Sequence, residues 1–206
     1  MAYSDFTTLT KVREAFGLVI EESLDLFSDI PEVLPSSHLQ TTLNENVFLA
    51  TAINTEKARS ELIITPVLLE VRRIFNFQIG FFSGSEFNVD VQAGLSGYCD
   101  YILTASKESY EIRTPVVTLA EAKNESIKSG LGQCIAEMVA AQLFNQRHEE
   151  VIDSIYGAVT TGTEWKFLKL VDQTVWIDKR DYFINEVSRI LGILTMPFKG
   201  FYLMNQ

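Results

Sequence analysis

A mixed α/β (α+β) architecture is what the sequence predicts: a central mixed sheet flanked by helices, with an N-terminal helical extension packed on the core. Three observations predict it. Apolar residues recur at helical spacing near both ends of the chain. Between about residues 78 and 123 the period shortens to that of strands. The run Pro115-Val-Val-Thr-Leu-Ala120 is apolar on both faces, as a central strand covered on each side must be.

In chain order, Val12, Phe16, Val19, Ile20, Leu24 and Phe27 predict an amphipathic helix over 7–27, closed by Pro31, Pro35 and the Ser36-Ser37 pair. Residues 41–54 read as irregular or a short helix. A second helix starts near Thr55 or Asn54 as N-cap and runs toward Phe75, with Pro66 kinking or dividing it. Strands are expected at 78–83, 87–92, 97–105 and 114–123, bounded by Ser- and Gly-rich turns. A helix follows over 129–146, with Leu131, Ile135, Met138, Val139, Gln142 and Leu143 on one stripe. Strands at 154–160, 165–172 and 173–177, the last two as a hairpin, precede a helix from Asp181 to about Leu194. The division expected is 1–54 as the extension and 55–206 as the α/β core, one domain overall.

Composition bounds the function. Of 206 residues, 47% are hydrophobic and 21% charged, ordinary for a globular protein with a substantial core. No apolar run reaches the ~20 residues of a membrane helix, and no signal peptide is read at the N-terminus, so a cytoplasmic protein without membrane partners is expected. Two cysteines, Cys99 and Cys134, and two histidines, His38 and His148, are too scattered for a zinc site. The cysteines read as core residues and the histidines as surface residues. A formal charge of −10 argues against loose electrostatic binding of nucleic acid. Residues 1–60 carry nine acids against Lys11, Arg13, Lys57 and Arg59, which is half of the excess.

Chemistry concentrates at Glu121-Ala122-Lys123, at the end of the apolar run, and at Asp100 in Gly97-Tyr-Cys-Asp-Tyr-Ile-Leu103. Residues two apart on a strand share a face, which groups Glu121 and Lys123 with Val117 and Leu119 and puts Val116, Thr118 and Ala120 opposite. A hairpin centred near Tyr110-Glu111 makes Asp100 the cross-strand neighbour of Glu121. Like charges so placed destabilise a sheet unless something positive lies between them. Lys123 is one candidate. A hard divalent cation, which takes carboxylate oxygens, waters and substrate phosphate, is the other. Lys123 on the same face could orient or deprotonate a water near such a cation.

Asp100, then Glu121-Ala122-Lys123 on the next strand, then a helix opening with Gly132-Gln133, resembles the PD-(D/E)XK nuclease superfamily, the restriction-endonuclease-like fold. The resemblance covers roughly residues 59–160 in an αβββαβ order. It implies Mg²⁺ or Mn²⁺ held by Asp100, Glu121 and the backbone carbonyl of Ala122, with Lys123 activating water. Gln133 matches a glutamine that recurs in several branches, and it would orient water, lysine or phosphate. A further acid on the preceding helix, Glu61 first and Glu70 second, would complete the metal site. Cys99 stands where the family has proline in its first motif.

The implied function is metal-dependent hydrolysis of phosphodiester bonds in DNA, with RNA as a second substrate class and a homodimer as one assembly. The alternative is a catalytically silent nuclease-like fold serving as a protein-binding or complex subunit. Glu137, one turn from Gln133, faces either the site or solvent. Lys128, Tyr98, Tyr101, Trp165, Lys166 and Lys169 are read either as nucleic-acid contacts or as packing and surface residues.

Overall fold

The computed structural model describes residues 1–203. A 3-10 turn at Tyr3–Asp5 leads into α1 (Leu9–Phe16). Thr8 caps α1, its hydroxyl accepting the Lys11 N–H, and Gly17 ends it at φ 64°. The long helix expected over 7–27 therefore stops after two turns. Val19 and Ile20, read as its apolar stripe, form β1 (Val19–Glu21) instead. Residues 41–54 belong to a full helix, α2 (Ser37–Ile53), capped by Ser36 and closed by Asn54 at φ 53°.

Thr55 caps the next helix as expected, accepting the Ala58 N–H at 3.1 Å. That helix is divided into α3 (Glu56–Arg59), a π-helical turn (Ser60–Ile64) and α4 (Thr65–Ile74). Pro66 lacks the N–H that a continuous helix would use and clashes with the carbonyl one turn earlier, so the wider turn just ahead of it is the physical outcome of the expected break.

β2 (Gly80–Glu86), β3 (Tyr98–Thr104) and β4 (Val116–Ala122) form an antiparallel meander. Residues 87–92, expected as a strand, add no strand to the sheet. They form an arm with one isolated bridge, Asp90 to Leu95. The crossover α5 (Ile127–Arg147) returns the chain to β5 (Ile155–Thr160), which lies parallel to β4. β6 (Glu164–Val171) and β7 (Thr174–Ile177) make the expected hairpin. β8 (Tyr182–Phe183) and a 3-10 turn occupy the start of the helix expected from Asp181, so α6 runs Val187–Leu203.

The sheet order is β1-β7-β6-β5-β4-β3-β2, with β8 also paired to β6. The N-terminal segment thus supplies an edge strand, β1, parallel to β7, as well as helices. One face is covered by α5, α1 and the N-terminal turn, and the other by α2, α4 and α6. α5 lies close to the sheet because small residues allow it: a Cβ on Gly157 of β5 would come within 2.4 Å of the Met138 sulfur and 3.0 Å of the Cys134 sulfur.

β4 is buried at every position. Its alternation is broken by a register shift against β3 between Leu103 and Thr104. Val116 and Leu119 consequently lie in the α5-side core, and Val117 and Ala120 in the opposite one. This corrects the simple alternation that grouped Val117 with Leu119. Asn145 of α5 anchors the irregular start of β4, accepting the Val116 N–H at 2.8 Å and donating to its carbonyl at 2.7 Å.

Candidate functional site

The pairs Tyr101–Ala120, Ile102–Leu119 and Leu103–Thr118 set the register of β3 on β4, and its next step puts Asp100 opposite Glu121. The hairpin reading is borne out there. Asp100 Oδ2 accepts the Ala122 N–H at 2.8 Å, so its carboxylate reaches across the strand end. Glu121 is 1% exposed and Ala122 fully buried, while Asp100 and Lys123 are half-buried. The site therefore sits at the rim of the sheet with Glu121 as its floor.

Lys123 Nζ donates to Glu121 Oε1 in a tight ion pair. Its stem crosses Gly130 of α5, where an added Cβ would stand 3.1 Å from both Cγ and Cε of the lysine. Glycine at that position is thus what lets the lysine lie flat against the helix. The other Glu121 oxygen, Oε2, is buried with no hydrogen-bond partner among the described residues.

Glu137 of α5 is fully buried beside it. Its Oε1 accepts the Gln133 amide at 3.1 Å, and its Oε2 likewise has no partner among the described residues. The two carboxyls are close enough for one, when protonated, to donate to the other; with both ionised neither Oε2 has a donor.

Burial first, and then the charge of Asp100, push the Glu121 carboxyl up to about 8, against the opposing pull of Lys123. Burial and the neighbouring Glu121 push Glu137 well above the carboxylate range. Burial works against the Lys123 charge, but attraction to Glu121, reinforced by Glu56 and Asp100, outweighs it and raises the lysine. Lys123 is an ammonium at neutral pH. Of the two roles open to it, orienting water fits this state, and deprotonating water does not.

Glu61 carries its carboxylate outward, 60% exposed and paired with Lys57 at 2.8 Å. It acts electrostatically on the Tyr101 hydroxyl, as Asp100 also does. Glu70 is buried but faces elsewhere, accepting the Ser36 N–H at 2.7 Å and pairing with Arg73. The α3 acid that acts on Lys123 is Glu56, which the sequence reading passed over; its position at the first turn of a Thr55-capped helix was the available signal.

Of the other candidates, Tyr98 is exposed beside the site. Tyr101 is buried, bonded to Thr65 and the Ser60 carbonyl, which removes it as a stacking surface. Trp165 is core, its indole donating to the Gly162 carbonyl. Lys166 is spent on Asp181 and two carbonyls, Lys169 lies over the Tyr156 ring, and Lys128 is exposed. Cys99 and Cys134 are buried free thiols lining the floor, and both histidines are exposed, as expected.

The constellation is therefore Asp100, Glu121 and Lys123 at the rim, with Gln133 and Glu137 beneath. Among the described residues, no group of three His, Cys, Asp or Glu side chains is arranged to hold a metal ion by itself, and no helix is long and apolar enough to cross a membrane. No protein-family model matches the chain, and no curated protein matches its sequence.

Proposed function

We propose that the protein hydrolyses phosphodiester bonds in DNA with a divalent cation, Mg²⁺ or Mn²⁺, through a site of the PD-(D/E)XK type. The observation that carries this reading is the facing of Asp100 and Glu121 at the ends of two central strands, with Lys123 on one Glu121 oxygen and, among the described residues, no donor to the other, buried oxygen while Glu137 is ionised. A buried carboxylate oxygen left so costs about 1–3 kcal/mol, and a cation supplies what it lacks. The donor set suits a hard ion: two carboxylates, with the Ala122 carbonyl as an additional oxygen. The order of elements adds support, since helix, three strands, helix and strand is the αβββαβ order of the resemblance.

Asp100, oriented by the Ala122 N–H, and Glu121, oriented by Lys123, would hold the ion. When bound, such an ion would supply Lewis-acid polarisation of a phosphate and a lowered pKa for its water. Lys123 keeps its proton and donates to the attacking water or to a phosphate oxygen. Gln133 holds Glu137 and, through it, the floor below Glu121. The net charge of −10 is compatible with this, because attraction of phosphate depends on the local field at the rim.

The test is calorimetric titration with Mg²⁺ and Mn²⁺ of the native protein, Asp100→Ala and Glu121→Ala, followed by cleavage of end-labelled DNA and RNA. Binding lost in both variants, with cation-dependent cleavage by the native protein, is expected. Binding that survives both substitutions would sink the site assignment. The same charge also favours a second reading, a catalytically silent subunit, and cation binding without cleavage of either nucleic acid would select it.

A further inference from the structure

We infer that Glu137 is a positioning residue for this cation site, acting through Glu121 to set how tightly a divalent cation is held. The inference rests on the cation reading above and concerns a residue outside the Asp100 and Glu121-Ala122-Lys123 pattern.

Glu137 lies on the face of α5 turned to the sheet, among the buried Cys134, Ile135, Met138 and Ala140. A position with only a packing role there would be apolar, since replacing buried charges by apolar side chains of similar volume is often neutral or stabilising. The carboxylate is instead retained and held: Gln133, one turn earlier, donates to Oε1 and fixes its orientation. The remaining oxygen is fully buried, unpartnered among the described residues, and beside Glu121, whose own Oε2 is in the same state. Two independently oriented carboxylates thus leave their unsatisfied oxygens at one place, with Lys123 the only cation pairing either of them among the described residues. A divalent cation at the rim draws on the Glu121 carboxylate, and Glu137, held by Gln133 against the second Glu121 oxygen, fixes the orientation in which that carboxylate is presented.

The structural and the cation-linked roles predict opposite signs. In Glu137→Gln the shape and the contact to Gln133 are kept and the carboxyl is replaced by an amide. Titration with Mn²⁺ alone should show affinity weaker by about 10–100-fold, while the cation-free variant melts higher, on the order of 2–4 °C. Glu137→Met, which keeps volume without either oxygen, should show the same two signs. Affinity equal to that of the native protein in both variants overturns the inference and leaves the proposed function standing. Variants that are unfolded without cation also overturn it, because the carboxylate would then serve the fold itself. A native protein that binds no Mn²⁺ overturns the inference together with the cation reading.

Discussion

Asp100 holds the Ala122 N–H across the end of the β3–β4 pair at 2.8 Å, so one carboxylate both joins two strands and faces Glu121. The two roles separate on substitution. Asp100→Asn keeps an acceptor and removes a like charge, and it should leave the cation-free melting temperature unchanged or raised. Asp100→Ala also loses the acceptor and strands a buried N–H, costing about 1–3 kcal/mol relative to Asn. Thermal melts in chelator of both variants check this; equal melting temperatures would remove the structural role of the carboxylate.

Lys123→Ala tests the chemistry, and the fold should survive it. Removing one member of a buried pair ordinarily costs 3–5 kcal/mol or so. Here Glu121 is already pushed up to about 8 and can take a proton, so the loss should be smaller. Cleavage should disappear while the circular dichroism spectrum persists. Gly130→Ala makes the same point without replacing a charged group, because its Cβ would press on the lysine stem and stand 2.7 Å from a Val159 methyl. Cleavage by Lys123→Ala at the native rate would end the proposed role of the lysine.

The pH dependence of the cation-free protein has a definite sign. The Glu121 carboxyl rises from an ordinary 4.5 to about 8 on folding, chiefly through burial and then through Asp100. Between these values the folded state binds more protons than the unfolded one, so stability falls as pH rises. A full one-proton difference is worth about 1.4 kcal/mol per pH unit. Glu137, raised in the same direction, adds to the slope. Melting temperatures in chelator at constant ionic strength should decline from pH 5 to pH 8, and Glu121→Gln should flatten the decline. An identical slope in that variant would assign the effect elsewhere.

The central strands, the β6–β7 hairpin, the Thr55 cap and the facing of Asp100 and Glu121 were legible because each rests on local chemistry: apolar runs, turn residues and a hairpin register. The N-terminal helix was overextended because Val19 and Ile20 fit a helical stripe as well as an edge strand; Gly17 was the stop signal. α2 was under-read because Phe48 and Ile53 face outward, so its apolar residues mark no single stripe. At the β4 register shift Val116 is bonded by Asn145, 29 positions away, and no local pattern reports it. Glu137 was visible at one turn from Gln133, but its burial comes from the packing of α5 on the sheet.

Asn145 gives the cleanest test of that long-range constraint. Its amide satisfies both the N–H and the carbonyl of Val116, at the one point where β4 departs from regular pairing with β3. Asn145→Leu keeps the approximate volume and leaves two buried backbone groups unpaired, at about 1–3 kcal/mol each. Asn145→Asp, at a pH that keeps the carboxyl neutral, keeps the acceptor and replaces the amide donor by a single O–H of different geometry, so it should fall between native and Leu. Chemical denaturation should show the midpoint falling in that order with little change in slope. If Leu costs less than 1 kcal/mol or so, relaxation of the strand start satisfies Val116 by other means, and the register shift does not depend on α5.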